Sequence, residues 1–513
     1  MQNTNQKQEI TMADAHGAAT IVGALMIGVF WNEYGGAISY IYRTYFYLIW
    51  LVIIMSVGLI GMLAYDKWQR RNPEKWMRNV LLKICEKNYE KEGAVYIGNT
   101  LQDQRPIYLT PEQRTGHVQI LGSTGRGKTK SVIVPWFARD LRQGLSPILI
   151  DGKGDYSIVS EILKWSNDTD RKIHVFDPEG GGCSINPLEG GNSHEVADRL
   201  FASLEFDSAY FREVQYSATL SALELMEAVG NIPTLKDLHE ALSNPQQFLE
   251  SLNKSTPLPG SARNEFMKIS QMRVNEREER FSGILSQLRP FTTGIFKGIT
   301  NSNKTEATHV SIEEVMNPKH TEGNTHAALI VLLPTMQYQK TAKVLGKLIL
   351  QSIAWASAKR DAEKPIATLF IDEFSAFVYE GFEQFLNKAR SKGVAVHLSH
   401  QSMGDLESVS PSFAKTVNVN TNTKVLLGLN DPDTADYFAR HLGTFTTTKE
   451  TERASKGMMG TNKSGEMSLR EVEQYRIHPN RLKAFSHGRG VLSVMVAGVQ
   501  LTEEVQFEAN GGV

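Results

Sequence analysis

The sequence predicts an α/β protein in which a parallel sheet is built around a phosphate-binding loop, interrupted by an all-helical insertion and preceded by membrane-spanning helices. Three observations carry this expectation. Gly122 to Thr129 reads GSTGRGKT and follows directly on the short apolar run from His117 to Leu121. From Val95 onward, apolar strand-like runs alternate with helical patterns, as crossover connections in a parallel sheet require. Tyr45 to Tyr65 carries no charged residue and is long enough to cross about 30 Å of hydrocarbon as a helix.

At the N-terminal end, the Tyr45–Tyr65 run is bounded by aromatics, which prefer the membrane interface. A second apolar run, Ala18 to Trp31, is short for a crossing and needs help from Ala13 to Gly17, where Asp14 and His16 stand. A signal-peptide core is the alternative for this run. Against it, Lys7 is offset by Glu9 and Asp14, and a longer apolar segment follows at once. We therefore expect a membrane anchor over 1–70 with two transmembrane helices, about 17–31 and 45–65. Lys67, Arg70, Arg71, Lys75, Arg78 and Lys83 then face only Asp66 and Glu74, while the intervening loop Asn32 to Thr44 holds just Glu33 and Arg43. The positive-inside rule places the chain after Tyr65 in the cytoplasm, and two crossings would put both ends there. The same basic stretch suits contact with anionic headgroups.

Composition limits the remaining choices only loosely. The 513 residues fit about three domains, or one large α/β domain with an insertion. A net charge of -1 exerts no global pull on nucleic acid, so DNA contact would need a local basic surface. Cys85 and Cys183 lack metal-ligand spacing and are too few for a disulfide framework, which suits a reducing compartment.

Expected strands are Val118–Leu121, Pro147–Asp151, Ile173–Phe176, Ala327–Leu333, Ala367–Asp372, Val394–Ser399, Lys424–Leu427 and Gly490–Met495. The gap between the third and fourth is too long for a crossover. Within it, Glu195 to about Gly298 has helical periodicity, with turn signals at Asn231 to Pro233 and Ser255 to Gly260. The division that follows is 71–192 for the first part of the nucleotide-binding domain, 193–300 for an all-α insertion, and 301–513 for the second part. Arg273, Glu276, Arg277, Glu278, Glu279 and Arg280 read as a solvated helix face. Thr444 to Ser468, polar and without periodicity, reads as a mobile loop.

The pattern G-x-x-x-x-G-K-T at Gly122, Ser123, Thr124, Gly125, Arg126, Gly127, Lys128 and Thr129 lets backbone N–H groups surround phosphates. Lys128 would reach the β/γ oxygens and the Thr129 hydroxyl Mg²⁺, while the following helix, Thr129 to Leu141, aims its positive end at the same phosphates. Ala367 to Glu373 (ATLFIDE) adds an apolar strand ending in two acids. Asp372 would face the metal through its water shell, and Glu373 would polarise an attacking water. Gln401, just past the next strand, is a candidate γ-phosphate sensor at the sheet edge where open α/β folds bind ligands. His397, His400 and Gln401 have a plainer reading as loop residues, and no carboxylate spacing supports metal binding by the histidines. Arg390 precedes the same strand and could reach a neighbouring subunit's nucleotide, with a surface salt bridge as its equal alternative.

These residues resemble the type IV coupling proteins of bacterial conjugation and secretion, the TrwB, TraD and TraG group. The likeness covers most of the chain. It rests on the N-terminal membrane segments, GSTGRGKT, the run Asp151, Gly152, Lys153, Gly154, Asp155 after the second strand, Asn186 to Leu188 (NPL), the helical insert, LFIDEF at Leu369 to Phe374, and the pair Arg390 and Gln401. The resemblance implies a RecA-like P-loop NTPase domain of the FtsK/HerA-like class, a homo-hexamer with ATP and Mg²⁺ at subunit interfaces, and a multi-pass protein of the bacterial inner membrane. It implies single- or double-stranded DNA, relaxase and relaxosome proteins, and type IV secretion channel components as partners, with the insert receiving the relaxosome. It assigns Lys128, Glu373, Gln401 and Arg390 catalytic roles, and Thr129 and Asp372 the metal.

One departure is that Val513 follows soon after the last expected strand, whereas some TraD relatives carry long acidic tails, so tail-based docking is not expected. An FtsK-like translocase of duplex DNA is an alternative, but no winged-helix module, long linker or additional membrane segments are visible. A recruitment receptor without turnover is another, opposed by intact Lys128, Asp372 and Glu373. No LSGGQ-like signature precedes Asp372, which excludes ABC-transporter ATPases.

Overall fold

The structure, a computed structural model, describes residues 12–71, 73–166, 169–252, 257–318, 327–361, 364–379, 381–457 and 460–507. The chain divides into two compact units, one up to Val80 and one from Leu81 onward.

The first unit is dominated by one helix, Met12–Arg71. Its middle, Val22–Met62, is the single candidate membrane span among the described residues, and none of its most apolar stretch is buried. Leu25, Met26, Val29, Phe30, Leu51 and Ile54 stand exposed around it, and a helix apolar on all sides requires a non-aqueous surround. This corrects the expectation of two crossings at about 17–31 and 45–65. The loop expected at Asn32 to Thr44 is helical. No proline occurs between Met12 and Arg71, and Ala37, Ile38 and Ile41 carry the apolar character across the glycine pair Gly35 and Gly36. At 1.5 Å per residue the 41 residues of Val22–Met62 extend about 60 Å, roughly twice the hydrocarbon thickness.

The second unit is organised on a 12-stranded sheet. Its strands are β1 (Val95–Thr100), β2 (Pro106–Leu109), β3 (Val118–Leu121), β4 (Ile148–Asp151), β5 (Ile173–Asp177), β6 (Gly181–Gly182), β7 (Ala328–Leu332), β8 (Ala367–Asp372), β9 (Val394–His400), β10 (Thr423–Leu427), β13 (Arg489–Val496) and β14 (Val499–Phe507). The remaining two, β11 (Thr444–Gly457) and β12 (Gly460–Tyr475), form a separate ribbon. The sheet order is β2-β1-β14-β13-β10-β3-β9-β8-β4-β7-β5-β6. From β10 to β5 every neighbour is parallel. Antiparallel strands close both flanks.

Successive side chains of a strand point to opposite faces, and the cores divide accordingly. Ile148, Ile150, Leu329, Val331, Leu369 and Ile371 pack on one face together with helices of the 193–300 stretch and the helix Gln339–Ala358. Leu149, Ile330, Phe370, Val425 and Leu427 pack on the other with Trp136, Phe137 and Leu141. Strands buried on both faces read as continuous apolar runs, which is why the parallel strands were visible in sequence. Of the antiparallel flanking strands only β13 was expected, as Gly490–Met495. From Leu501 on, β14 alternates buried and partly buried positions and carries Glu503 and Glu504, and β1 contains Gly98 and Asn99.

Between Ser193 and Thr300 the described chain is helical, from Ser193–Ser203 and Ala209–Ala228 to Val274–Leu288 and Gly294–Thr300. The stretch Thr444 to Ser468, expected as a mobile loop, belongs instead to the antiparallel ribbon of β11 and β12, paired from Thr444↔Tyr475 to Gly457↔Gly460. β-branched threonines at 444, 446, 447 and 448 favour extended backbone there without any apolar period to reveal it.

One ion pair ties the phosphate-loop helix to the sheet. Arg114 and Asp140 are both fully buried, paired twice at 2.6 Å, and Arg114 also donates at 3.3 Å to Nε2 of His397 on β9. Removing one member leaves the other charge buried alone. Asp140→Ala should therefore destabilise the detergent-solubilised chain by about 3–5 kcal/mol in denaturant unfolding, far more than removal of the exposed pair Lys236–Glu240.

Candidate nucleotide site

Strand register assembles the site. Leu121 pairs with His400, Asp151 with Asp372, and Asp151 with Leu332, so β3, β9, β8, β4 and β7 end at one edge. The chain leaves β3 into Gly122 and runs through Gly127 to a π-helical turn, Lys128–Ile133, continued by the helix Val134–Arg142. This shifts the start of the expected regular helix by one turn, and such turns recur at functional sites. Gly127 has φ +96, and a Cβ there would meet Ser131 Oγ at 2.9 Å and the Gly488 N at 3.1 Å, so only glycine fits.

The loop is braced from outside. The Ser123 N–H donates to Gly428 O at 3.0 Å, and the Gly488 N–H to Arg126 O at 3.1 Å. Arg126, expected among the phosphate contacts, sends its guanidinium to Phe485 O and Asn430 Oδ1, both at 3.0 Å. Its side chain is thus a brace, although Arg126 still lines the cavity of about 280 Å³ together with Ser123, Thr124, Gly125, Gly127, Lys128 and Thr129. Gly122 serves through its carbonyl, which accepts from Lys128 Nζ at 2.6 Å. Burial holds the Lys128 ammonium below its ordinary pKa, against the pull of Glu373 and Asp372.

Asp372, fully buried at the end of β8, accepts from Thr129 Oγ1 at 2.6 Å on one oxygen and from Ser399 Oγ at 2.7 Å on the other. Glu373 follows in left-handed backbone (φ 53, ψ 47), which for a non-glycine residue costs about 1 kcal/mol and recurs at functional sites. Gln401 joins Glu373 to the phosphate loop: its Nε2 donates to Glu373 Oε2 at 3.3 Å, and its Oε1 accepts from Thr124 Oγ1 at 3.1 Å. Asp405 anchors this turn by accepting from the N–H of Gln401 at 2.8 Å and of Ser402 at 3.0 Å.

His397 and His400 are not loop residues. Both lie in β9 and are buried, His397 stacked on Phe370 with ring centroids 4.2 Å apart and His400 2.9 Å from Gln119 Nε2. Burial pushes His400 down to about 4. Arg390 is the one predicted residue that the structure does not bring to the others. It is exposed in the turn before β9, beyond the opposite end of that strand from Gln401, and makes no ion pair among the described residues.

Sequence reasoning missed Ser399, Asp405 and the role of Lys153, whose Nζ lies 3.4 Å from Asp372 and 3.3 Å from Glu373. Burial works to lower Lys153, but Asp372, Glu373 and Asp151 outweigh it and leave its pKa raised. Only the glycine-flanked lysine of the Asp151 to Asp155 run was a signal; Ser399 had none. Among the described residues no group of three or more His, Cys, Asp or Glu side chains is set to hold a metal. Mg²⁺ in nucleotide sites takes one or two carboxylates with phosphates and waters, and the hard oxygens of Thr129 and Asp372 fit that requirement.

A family model described as helicase HerA, central domain, matches residues 95–312, and one described as the TraM recognition site of TraD and TraG matches 367–486. The chain is 22% identical over 421 residues to the type 4 coupling protein DotL of Legionella pneumophila, covering 70% of this chain and 53% of DotL. It is 23% identical over 379 residues to the conjugal transfer protein TraG of Agrobacterium fabrum, covering 69% and 55%. The chain is thus similar to type IV coupling proteins over about 70% of its length. Among solved structures, the conjugative coupling protein TrwBdeltaN70 matches this chain with a TM-score of 0.59 at 16% identity, over 84% of this chain and 92% of that one. TrwB in complex with ADP and Mg²⁺ gives 0.57 at 17%, over 84% and 93%. The likeness to these structures is one of fold, a RecA-like α/β sheet with helices. The chain spans about half the length of the curated relatives it matches.

Asp151 gives the site a pH signature. Burial, and then the neighbouring charge of Asp372, raise its carboxyl from the ordinary 3.8 to about 6. The folded state then binds a proton that the unfolded state has released, so this group's contribution to stability is full below about pH 4 and is lost as pH rises to about 6. Denaturant midpoints measured across that window should show this falling component in the wild type and lack it in Asp151→Asn.

Proposed function

We propose that this chain is the coupling ATPase of a type IV secretion system: a membrane-anchored homo-hexamer that recruits relaxase-bound DNA or protein effectors to the channel and drives transfer by hydrolysing ATP. The observation that carries the reading is the 2.6 Å contact between Thr129 and Asp372, which brings the phosphate loop and the acidic strand end to one point. Thr129 and Asp372 would hold Mg²⁺, which when bound would offset charge on the nucleotide phosphates. Lys128, buried and bonded to the Gly122 carbonyl, turns to the phosphate oxygens. Glu373 takes the proton of the attacking water, and Gln401, tied to both Thr124 and Glu373, positions that water and registers the γ-phosphate.

Arg390 is exposed and unpaired by carboxylates among the described residues, which supports a role across a subunit boundary in which it stabilises charge on a neighbour's nucleotide. The divisions 71–192, 193–300 and 301–513 follow the same scheme, with the helical stretch as a receiving surface for relaxosome proteins. The match of residues 367–486 to a TraM recognition model supports a relaxosome contact on that part as well. The apolar N-terminal helix anchors the protein in the inner membrane, and the basic residues from Lys67 to Lys83 place the motor in the cytoplasm.

Glu373→Gln tests the assignment. It should retain nucleotide binding while phosphate release, assayed with and without single-stranded DNA, falls by roughly 10²–10⁴-fold and transfer is lost. Unchanged hydrolysis would contradict the role of Glu373. Full transfer without hydrolysis would favour a recruitment receptor instead.

A further inference from the structure

The run from Asp151 to Asp155 is built tightly around one exposed cation. Gly154 has φ +67, and a Cβ there would lie 2.7 Å from Pro334 Cα; a Cβ on Gly152 would approach Glu373 Cβ to 3.1 Å. Thr335 Oγ1 donates to Gly152 O at 2.6 Å, and the Asp155 N–H to Asp151 Oδ2 at 3.2 Å. Between these fixed points Lys153 reaches two acids at once, Asp372 Oδ2 at 3.4 Å and Glu373 Oε1 at 3.3 Å. Asp372 Oδ2 is also the oxygen that accepts from Thr129. The ammonium therefore shares the atom assigned to the metal, from a side chain that is 48% exposed and lines the same cavity as Lys128 and Thr129. Its exposure leaves the head room to swing aside while the backbone stays in place.

We propose that Lys153 is a resident counter-ion of Asp372 and Glu373, which a divalent cation displaces when nucleotide binds. This rests on the nucleotide reading above and adds a positioning residue to it. Asp151, Asp372 and Glu373 converge at adjacent strand ends, and without an internal cation they would attract free metal or repel one another. With Lys153 in place the charge of the acids is offset and the site takes metal weakly until phosphates arrive with it. Lys153 thereby makes metal entry depend on nucleotide.

The test is Mn²⁺ binding to the full chain in detergent without nucleotide, read by electron paramagnetic resonance. Lys153→Met should bind Mn²⁺ about tenfold more tightly than the wild type, the effect of removing two partly exposed ion pairs, while Lys153→Arg stays within about twofold. Adding Asp372→Asn to Lys153→Met should abolish the gain. No tightening in Lys153→Met overturns the proposal, and so does tightening that survives Asp372→Asn. A fluorescent ATP analogue titrated into the same preparations reports the nucleotide reading separately: retained binding with no Mn²⁺ effect removes the counter-ion role and leaves that reading standing.

Discussion

The site depends on strand order as much as on residue identity. β3 and β8 are not neighbours, because β9 runs between them, yet the first turn after the phosphate loop reaches over β9 to place the Thr129 hydroxyl 2.6 Å from Asp372. That reach requires β3, β9 and β8 to end level, which the pairs Leu121↔His400 and Ile371↔Leu398 secure. Because side chains alternate along a strand, a slip of one residue in either pairing would turn Asp372 or Ser399 into the opposite face. The apolar faces of these strands, packed against two separate cores, hold the register that the chemistry needs.

Stability is conceded around this point. Glu373 is held in left-handed backbone, Asp151 is buried beside another acid, and Lys128 is buried with a carbonyl as its hydrogen-bond partner. Each is unfavourable alone, and they cluster at one strand edge, where strain and shifted pKa values mark functional sites. Two buried cations elsewhere are compensated. Arg114 and Asp140 pair twice, and Lys424 donates to Gln119, Thr421 and the Asn418 carbonyl.

What could be read in advance follows from where physical chemistry leaves a local trace. The phosphate loop, the ATLFIDE strand and the parallel strands were legible, since glycines at positive φ and strands buried on both faces leave compact signatures. The antiparallel flanks, with a glycine in β1 and glutamates in β14, leave weaker ones. The ribbon of β11 and β12 has no apolar period to betray it, and the long N-terminal helix has no proline to stop it. Within the site, Gln401 and Glu373 were identified by position in a strand–turn pattern, whereas Ser399 reached Asp372 only through pairing of strands distant in sequence. For Arg126 the motif specified a backbone position, and the direction of its side chain, toward Phe485 O and Asn430, left no trace in the sequence.

The account stands on the claim that the loop from Gly122 to Thr129 binds nucleotide phosphates through Lys128. Calorimetric titration of the wild type and Lys128→Ala with a non-hydrolysable ATP analogue and Mg²⁺ tests it directly. The account predicts binding by the wild type and a loss of roughly 10–100-fold in the variant, the worth of a charge-assisted hydrogen bond to phosphate. Equal affinity in the two proteins would contradict it.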